Sequence, residues 1–554
     1  MKTMKKLLAM TAMVAIVLTA GCQKEKKEDL KELVLSASKN IIKPQEILNV
    51  EFRLFPEDPK DANLNWTSSN TDVATVSPTG VVTALKVGVT KIKATSASNP
   101  AIFDELTIEV SAAEVVSKSG AVEGVWHAGS VVTITDQIWV AKGKKLIVEE
   151  GVTILVQDGQ VGTSNAPIEF YVDGSLLLKG TKEKPILVTV ADASKRTFEN
   201  RYEGLWGGFV GGNDFSELLF NYVTVEFTGA LCRANSQSVI NGLNVADKDR
   251  TSHILTNNPE GKIVVMNSTF RYGESDAMYF MGGRAIVAHN IIHTIGETDN
   301  DGINMKSGVQ VDIAYNLTFS VNSNGMKLSS SGQSPTRSQA LIRAYNNTIV
   351  NSGWRRTKNL KGGSIFLEQG ALASVFNNLV VNSKLMGKTP NLTDANNPNK
   401  GGCDWESVMD YNFYASGSQT LTATNLQIIE GVTILTAFAG YTLKDNDYFH
   451  DGRSGTPIMD GNSLVATSAG APAITFVNFG FNTVPLNQDR YDAAWDFHVT
   501  SATSPVIAGA NGKTPQNNFT GKFAPYFSVT GLTLDGVEYK SPTPSARYGA
   551  FGTK

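Results

Sequence analysis

The feature of this sequence that most constrains its fold is one phrase that returns five times between Gly261 and Ser383. Each copy places an asparagine between two short apolar runs, and a glycine-containing bend and a third apolar run follow. The copies are KIVVMNSTF, AIVAHNIIH, VDIAYNLTF, LIRAYNNTIV and ASVFNNLVV, with asparagines at Asn267, Asn290, Asn316, Asn347 and Asn378. Successive asparagines are 23, 26, 31 and 31 residues apart. Such a period is typical of a solenoid, in which every repeat forms one coil and stacks on its neighbours.

The recurring asparagine has a structural explanation in a stack of this kind. Equivalent positions of adjacent coils lie about 4.8 Å apart, the spacing of hydrogen-bonded strands. An asparagine amide can donate to the copy on one side and accept from the copy on the other, and asparagine tolerates left-handed backbone at a bend. We therefore predict that these five residues form an internal ladder and are not ligands for a sugar.

Composition and charge favour an all-β protein of more than one domain. The chain has 554 residues, of which 41% are hydrophobic and 18% charged, so it can build a large core. Its 50 glycines indicate turn-rich β structure. The formal net charge of −3 becomes −6 once three lysines of an N-terminal leader are removed. This balance argues against nucleic acid as a partner.

The first 21 residues have the pattern of a secretory leader. Basic residues are followed by an apolar run over residues 7–18 that is too short for a stable membrane span. Leu18-Thr19-Ala20-Gly21-Cys22 resembles the lipobox of bacterial lipoproteins. The resemblance implies cleavage before Cys22, lipidation of that cysteine and attachment to the outer membrane. The lysines of the leader are Lys2, Lys5 and Lys6.

Residues 22–32 are predicted to form a charged tether behind the lipid. The run from Gln23 to Asp29 contains no apolar residue. It resembles the short charged export signals of surface lipoproteins in some Gram-negative bacteria, which implies display on the outside of the cell. A plain hydrophilic spacer is the alternative, so the side of the membrane stays open.

Residues 33–112 are predicted to form a small β-sandwich, because short alternating strands are separated there by Pro and Gly. The phrases NWTSSN at residues 65–70, VATVS at 73–77 and GVVTA at 80–84 resemble the bacterial Ig-like domain, group 2. In that family such modules serve as spacers or adhesive units. We interpret Trp66 as a core anchor of the sandwich, not as a platform for a sugar.

Residues 113–554 are predicted to form the solenoid and its closing segment. Short strand phrases and glycine-containing bends, such as GVTI from Gly151 and GSL from Gly174, resemble the opening coils of right-handed parallel β-helix proteins with the pectin-lyase-like fold. The segment around Asn244 has a poor strand pattern and is predicted to be a loop excursion. The stretch from Asp496 to Gly552 resembles the last coil and tail of such proteins. The predicted fold class is thus all-β, an Ig-like sandwich followed by a right-handed parallel β-helix.

The third strand of each coil predicts which side chains face outward. The phrases DAMYFMGG, DGINMKSG, NGMKLSSSG and GSIFLEQG align by apolar residues that face the core. Their neighbours form an outward column of ring, amide and cation, the groups that suit an extended polysaccharide. A solvated sheet face is the alternative. The column consists of Tyr279, Asn304, Lys327 and Phe366.

A polysaccharide-degrading enzyme is the competing hypothesis. Asp299 and Asp301 invite comparison with polygalacturonases, but Ser323-Asn324-Gly325 stands where a second Asp pair is needed, which disfavours an inverting hydrolase. A uronate lyase would need Ca²⁺ held by stacked carboxylates and a Lys or Arg base. The candidate Ca²⁺ ligands are Asp276, Asp299 and Asp301, and the candidate bases are Lys306, Lys327, Arg355 and Arg356.

The sequence therefore predicts a lipid-anchored surface protein that binds extracellular polysaccharide or a surface protein through its β-helix. A Ca²⁺-dependent uronate lyase is the alternative, and a glycoside hydrolase is less favoured. Cys232 and Cys403 are candidates for a disulfide, although 171 residues of separation do not decide whether they pair. The sequence leaves the identity of the glycan and the oligomeric state open.

Overall fold

The computed structural model describes residues 27–356, 363–384, 402–404, 406–415, 417, 461–466, 474–517 and 519–554, with the backbone of three short strands in between. The chain divides after Ala112 into two compact units. The lipobox cysteine, Cys22, lies outside the described residues. Within them, no helix has both the length and the apolar character needed to cross a membrane.

The first unit is a sandwich of two four-stranded sheets around a small apolar core. One sheet contains, in spatial order, Glu32–Ala37, Ile47–Phe55, Val81–Ala84 and Ala74–Val76. The other contains Ile41–Ile42, Phe103–Val110, Gly88–Ser96 and Leu64–Ser68.

Trp66 packs against the core of this sandwich, in keeping with its interpretation as an anchor. Its ring lies 6.0 Å from that of Phe52, edge to face. Gly80 adopts φ +81°, and a Cβ there would lie 2.9 Å from the indole ring. The turn that supports Trp66 therefore requires glycine on both conformational and steric grounds.

The second unit is a parallel β-helix built of three sheets that we call sheet 1, sheet 2 and sheet 3. Neighbouring strands of each sheet come from successive coils and pair in parallel. Sheet 1 contains Gly124–Trp126, Lys145–Val148, Ser175–Lys179, Glu217–Asn221, Lys262–Met266, Gly283–Ala288, Val309–Ala314, Leu341–Tyr345, Leu372–Phe376, Val408–Met409 and Ile458–Met459.

Sheets 2 and 3 both begin on the long strand Val131–Val140. Sheet 2 continues with Thr153–Val156, Ile186–Val190, Val223–Glu226, Thr269–Gly273, Ile291–Ile295, Leu317–Val321, Thr348–Val350, Leu379–Val381, Phe413–Ala415 and Leu464–Ala466, and Val115–Ala121 is its first edge. Sheet 3 continues with Glu169–Val172, Gly208–Gly211, Ile254–Thr256, Met278–Phe280, Ile303–Met305, Met326–Ser329 and Ile365–Glu368.

The remaining elements are short and lie in bends or in the C-terminal segment. The helices are Gln237–Ile240 and Pro505–Ala508, with 3₁₀ turns at Ala193–Lys195, Phe198–Asn200 and Gly521–Phe523. The hairpins are Ile428–Ile429 with Val432–Thr433, Phe476–Asn478 with Asp496–Val499, and Leu532–Leu534 with Val537–Tyr539.

The interior of the β-helix is one continuous apolar column. Inward residues of all three sheets contribute to a single core cluster that runs from Trp126 to Leu486. The inward residues predicted for sheet 3 are all at most 1% exposed, which confirms the predicted register of that face. They are Met278, Phe280, Ile303, Met305, Met326, Leu328, Ile365 and Leu367.

The asparagine ladder is present, with a shift in its membership. Each amide Nδ2 donates to the Oδ1 of the next coil over 2.9 Å, which links Asn290, Asn316, Asn347, Asn378 and Asn412. The prediction that Asn267 belongs to the ladder is wrong. Strand pairing places Met266 beside Ala288 and thus Ser268 beside Asn290. Ser268 occupies that position and its backbone N–H donates to Asn290 Oδ1 over 3.1 Å.

The left-handed backbone at these bends belongs to the residue before each ladder asparagine. That residue has φ between 51° and 58° at all five ladder positions, and asparagine, histidine and tyrosine all occupy the position. Ladder asparagines themselves do not have positive φ. The prediction that they supply left-handed backbone is therefore wrong for Asn290, Asn316, Asn347 and Asn378, whose amides form hydrogen bonds instead. The five left-handed residues are His289, Tyr315, Asn346, Asn377 and Tyr411.

The C-terminal segment covers the outer face of sheet 2. Phe319 points outward from this sheet and is in ring contact with Tyr491 at 5.6 Å and with Trp495 at 4.9 Å. Asn351 Nδ2 donates to the backbone oxygen of Pro485 over 2.9 Å. Residues 474–510 thereby close this side of the β-helix with aromatic side chains.

The same segment then crosses the outer face of sheet 1. Outward residues of four successive coils pack against Phe527, Leu532 and Leu534. The carboxylate of Asp312, which is 0% exposed, accepts from the backbone N–H groups of Tyr526 and Phe527 at 3.0 and 2.8 Å. The C-terminal segment thus covers two of the three outer faces.

A loop excursion over residues 227–253 interrupts the stack where the sequence predicts one. It contains the helix Gln237–Ile240 and lies against the outer face of sheet 3, where Leu243 contacts the patch formed by Tyr171, Val210 and Leu255. The carboxylate of Glu169, itself on sheet 3 and 1% exposed, accepts from the Ser238 N–H at 2.6 Å and from the Ser238 and Thr251 hydroxyls at 2.7 Å.

Cys232 belongs to this anchor of the excursion and does not form a disulfide with Cys403. Its Sγ contacts Glu169 Oε1 at 3.7 Å and Thr251 Oγ1 at 3.3 Å. Burial raises the pKa of the Cys232 thiol to about 11, helped by the neighbouring Glu169 charge. The thiol is therefore protonated and a weak nucleophile at neutral pH.

Candidate functional site

Sheet 3 brings the four predicted outward residues into one column. Tyr279 pairs with Asn304, Asn304 with Lys327 and Lys327 with Phe366. Side chains at paired positions of a parallel sheet lie on the same face, about 4.8 Å apart. The alternation of inward and outward residues along each strand was sufficient to predict that they lie on one face.

The column extends further toward the N-terminal end than the sequence indicates. Strand pairing continues from Tyr279 back through Leu255, Val210 and Tyr171 to Trp139. Trp139 and Tyr171 are aromatic residues of the column that were not predicted from the sequence. Their strands lie before the clear repeats, and a long excursion separates them from Tyr279, so spacing gave no signal.

A cavity of about 390 Å³ opens over the middle of this column. Its floor comes from sheet 3 and its walls from the bends after residue 274 and after residue 298, together with the excursion. The lining includes most of the predicted site residues and several that were missed, among them Leu243, Asn244, Asp249 and Arg250 of the excursion. The predicted members are Asp276, Tyr279, Asp299, Asp301, Asn304, Lys306 and Lys327.

Two buried carboxylates on adjacent coils form the acidic side of the cavity. Asp276 is 7% and Asp301 4% exposed. Asp276 Oδ1 accepts from the backbone N–H of Asp301 at 2.6 Å, and Asp301 Oδ1 accepts from the backbone N–H of Asn324 at 3.0 Å. Each carboxylate thus caps the bend of the following coil, which fixes its orientation.

The Asn304 amide joins the two carboxylates. Its Nδ2 donates to Asp276 Oδ2 at 2.8 Å and to Asp301 Oδ2 at 3.2 Å. Burial raises the pKa of Asp276 to about 7, and the charge of Asp301 adds to this effect. Two such carboxylates cannot both ionise at low cost, so the pair retains one proton near neutral pH.

The other end of the Asn304 amide is available to a ligand. Asn304 is 3% exposed, yet its Oδ1 has no hydrogen-bond partner among the described residues. A buried polar atom left without a partner costs about 1–3 kcal/mol. A hydroxyl or amide donor that enters the cavity and reaches Oδ1 would recover this cost.

Two lysines form the cationic side of the cavity. Lys306 Nζ lies 5.2 Å from the centre of the Tyr279 ring, and Lys327 Nζ lies 3.5 Å from Glu368 Oε1. Burial and the neighbouring Lys327 charge lower the pKa of Lys306. Burial also acts to lower the pKa of Lys327, but the charges of Asp301 and Glu368 outweigh it and the net shift is upward.

The predicted Ca²⁺ site is not formed by these side chains. No group of three or more acidic, histidine or cysteine side chains is placed to hold a metal ion in the described part of the chain. Asp299 forms an ion pair with Arg356, while Asp276 and Asp301 are engaged by backbone N–H groups. The donor set therefore does not fit Ca²⁺, which needs six to eight oxygen ligands.

Two of the four candidate bases are structural. Arg355 donates to the backbone oxygens of Ile295, Gly296 and Ser320 at 2.5–2.9 Å and lies over the Tyr202 ring at 4.9 Å, away from the cavity. Arg356 is held by Asp299. Their position in the sequence predicted that they line the cavity, but both guanidinium groups bind neighbouring residues of the bends instead. Lys306 and Lys327 are the cations that line the cavity.

Phe366 continues the column but does not offer an accessible ring face. It is 2% exposed, so the prediction that it stacks on a sugar is corrected. Alternation along the strand gives the direction of a side chain and not what packs over it. Tyr279 is the partly exposed ring of the four-residue column.

Comparison with known protein families finds one match, within the first unit. A family model for the bacterial Ig-like domain (group 2) matches residues 42–102. Residues 42–102 form a bacterial Ig-like domain. Such domains occur in bacterial surface proteins. No curated protein matches the chain. The Ig-like domain and the parallel β-helix together fit a surface-associated protein.

Proposed function

We propose that this protein is a lipid-anchored protein of the bacterial outer membrane that binds an extracellular glycan through the outer face of sheet 3. The observation that carries the proposal is the cavity around Tyr279, Asn304 and Lys327. It combines a ring, a buried amide oxygen without a hydrogen-bond partner among the described residues, and two cations. These are the groups that stack on sugar rings and orient hydroxyls. The described residues of the C-terminal segment pack on sheets 1 and 2.

Lipidation of Cys22 would hold the chain at the membrane. The lipobox resemblance supports this part, and the Ig-like domain would act as a spacer between lipid and β-helix. Labelled palmitate tests it directly. Wild-type protein should incorporate the label and partition into detergent, whereas Cys22→Ser should do neither.

The separation and orientation of the acidic groups favour binding over cleavage. Asp276 and Asp301 share hydrogen bonds with one amide, so their nearest oxygens are no more than about 6 Å apart. An inverting glycosidase needs a separation of roughly 6.5–9.5 Å to seat water between them. A Ca²⁺-dependent lyase is disfavoured because the acids do not converge on one point.

Cleavage remains the second candidate because of one observation. The raised pKa of Asp276 gives the cavity a neutral carboxylic acid near pH 7, and the lowered pKa of Lys306 brings an amine closer to acting as a base. A proton donor and a proton acceptor in one cavity are what general acid–base chemistry requires. A metal-independent lyase is the form of enzyme that these residues would support.

One experiment separates the two candidates. The protein is run through native gels that contain neutral or acidic polysaccharides. The same mixtures are analysed for new reducing ends and for the ultraviolet absorbance of unsaturated uronate ends. Binding predicts retardation by at least one glycan without products, and loss of retardation in Tyr279→Ala and Lys327→Ala. Products that vanish in Asp276→Asn would instead establish cleavage. If no glycan retards the protein and no products form, both candidates are wrong.

A further inference from the structure

A second cavity, of about 500 Å³, opens at the N-terminal end of the same sheet face. Its residues come from the first coils of the β-helix and from the excursion over residues 227–253. None of them lines the first cavity, although Trp139 belongs to the same outward column. The residues that matter for its chemistry are Ser119, Asp136, Trp139, Asn235, Gln237 and Ile240.

We propose that this second cavity is a further glycan subsite that takes a neutral sugar ring on Trp139. The inference rests on the proposed glycan-binding function and adds a second point of contact to it. Trp139 is the first residue of the outward column, four coils before Tyr279. Four steps of about 4.8 Å place the two rings about 19 Å apart along the axis of the β-helix.

One wall separates the two cavities and shapes both of them. The excursion contributes Gln237 and Ile240 to the second cavity, and Leu243 and Asn244 to the first. Beneath it, the intervening column residues are at most 4% exposed. The buried carboxylate of Glu169 fixes this wall through Ser238. The face therefore presents two separate openings on one rigid support.

The charge of the second cavity favours an uncharged ligand. No lysine or arginine lines it, and its one charged group is Asp136. Burial acts to raise the pKa of Asp136, but hydrogen bonds from Ser164, Gln137 and Thr163 lower it to about 2. A permanent negative charge without a nearby cation repels uronates and sulfated sugars. The first cavity, with two lysines, differs in this respect.

Polar groups for sugar hydroxyls remain after the internal bonds are counted. The Asp136 oxygens are engaged by backbone and hydroxyl donors of Gln137, Thr163 and Ser164. The Gln237 side chain, in contrast, lines the cavity and is partly exposed. A ring face with a nearby amide suits stacking of a pyranose and hydrogen bonding to one of its hydroxyls.

Two separate subsites predict that affinity depends on chain length. A polymer that reaches both openings binds the second one at a raised effective concentration, so its affinity exceeds that of either subsite alone. An oligosaccharide too short to span about 19 Å gains nothing from the second opening. Short chains of a neutral sugar therefore measure the affinity of a single opening, whereas long chains measure binding at both.

The test uses the full chain with neutral galactomannan, xyloglucan and laminarin, with acidic polygalacturonate, and with di- and trisaccharides prepared from each, which are too short to reach both openings. Trp139→Ala should weaken binding of at least one polymer by tenfold or more and leave binding of its short fragments at the first cavity unchanged. Trp139→Phe retains a ring and should keep most of the affinity. Gln237→Ala lies on the excursion, away from the core of the β-helix, and should weaken the same polymer by a few fold.

The outcomes separate this inference from the function on which it rests. If Tyr279→Ala abolishes binding of polymers while Trp139→Ala and Gln237→Ala bind all of them like wild type, the second subsite is wrong and the first stands. If only acidic polymers bind, and Trp139→Ala weakens them, the neutral class is wrong. If the wild-type protein binds no glycan at all, both the subsite and the proposed function fail.

Discussion

Asn316 Nδ2 donates to Asn347 Oδ1 over 2.9 Å, and the backbone N–H of Asn316 donates to the same oxygen over 3.0 Å. Both residues are at most 1% exposed. The contact repeats from coil to coil, so each buried amide is hydrogen-bonded to its neighbours. A buried polar row of this kind stabilises only while it is complete.

Replacement of Asn347 by alanine should therefore destabilise the β-helix strongly. It removes Oδ1, which accepts from both the backbone N–H and the Nδ2 of Asn316, and it removes one donor to Asn378 Oδ1. The buried Asn316 N–H then has no acceptor, and together these losses cost about 2–4 kcal/mol in the free energy of unfolding. Chemical denaturation measures the loss. Asn267→Gly is the matched control, because Asn267 lies outside the ladder and glycine tolerates its left-handed backbone at φ 53°. It loses only the part-buried hydrogen bond to Asn221 Oδ1 and should cost about 1 kcal/mol. Equal losses in the two variants would contradict the assignment of the ladder.

Two buried histidines should make the fold sensitive to mild acid. Burial lowers the pKa of His253 to about 4 and that of His293 to about 3. Their unfolded-state pKa is near 6.5, so the unfolded chain binds more protons below that value. Stability should thus fall as the pH drops from about 6.5 toward 4, by about 2 kcal/mol per histidine at pH 5.

Melting curves between pH 7.5 and 4.5 test this. His293→Gln should flatten part of the slope, whereas His127→Gln, which alters a half-exposed ring, should leave it unchanged. An equally steep slope in His293→Gln would show that other groups carry the acid sensitivity.

The Asp276–Asp301 pair should change stability with pH in the direction opposite to that of the histidines. The folded-state pKa of Asp276 is raised, so the folded protein holds a proton that the unfolded chain has released above about pH 4. The contribution of Asp276 to stability therefore falls as the pH rises from about 4 to about 7 and is constant above that. Asp276→Asn cannot ionise, and its stability relative to wild type should increase across this window. A difference that does not change with pH would mean that Asp276 is already ionised in the folded state.

Glu169 should control the wall of the candidate site without contacting a ligand. Its carboxylate holds Ser238 and Thr251, so Glu169→Ala should release the excursion. We expect faster proteolysis within residues 227–253, faster amide exchange there and weaker glycan binding. Glu169→Gln keeps part of the hydrogen bonding and should be intermediate. Unchanged proteolysis in both variants would show that the apolar patch at Leu243 is enough to hold the excursion.

The sequence predicted the parts of this structure that repetition and alternation determine. A period near 23 residues gave the β-helix, and the inward residues of sheet 3 followed from Met278 and Ile303. The register of the ladder was missed by one position at Asn267, because the local phrase KIVVMNSTF matches its neighbours in composition while strand pairing places Ser268 in line.

What the sequence did not reveal depends on contacts between distant segments. Burial of Phe366, packing of the C-terminal segment on sheets 1 and 2, and the anchoring of the excursion by Glu169 have no local signature. The Ca²⁺ prediction gains no support from the described residues, for a similar reason. Spacing placed Asp276, Asp299 and Asp301 on adjacent coils, but the direction of each carboxylate was set by the backbone N–H or the arginine nearest to it.

The most direct test of the central claim is hydrogen–deuterium exchange of the full chain with and without a glycan that retards it in native gels. Glycan binding at the first cavity should slow amide exchange on sheet 3 and the excursion, at residues 243–250, 276–281 and 301–306. Tyr279→Ala should show no such slowing at the same glycan concentration. Protection confined to the Ig-like domain or to the C-terminal segment, with sheet 3 unchanged, would contradict it.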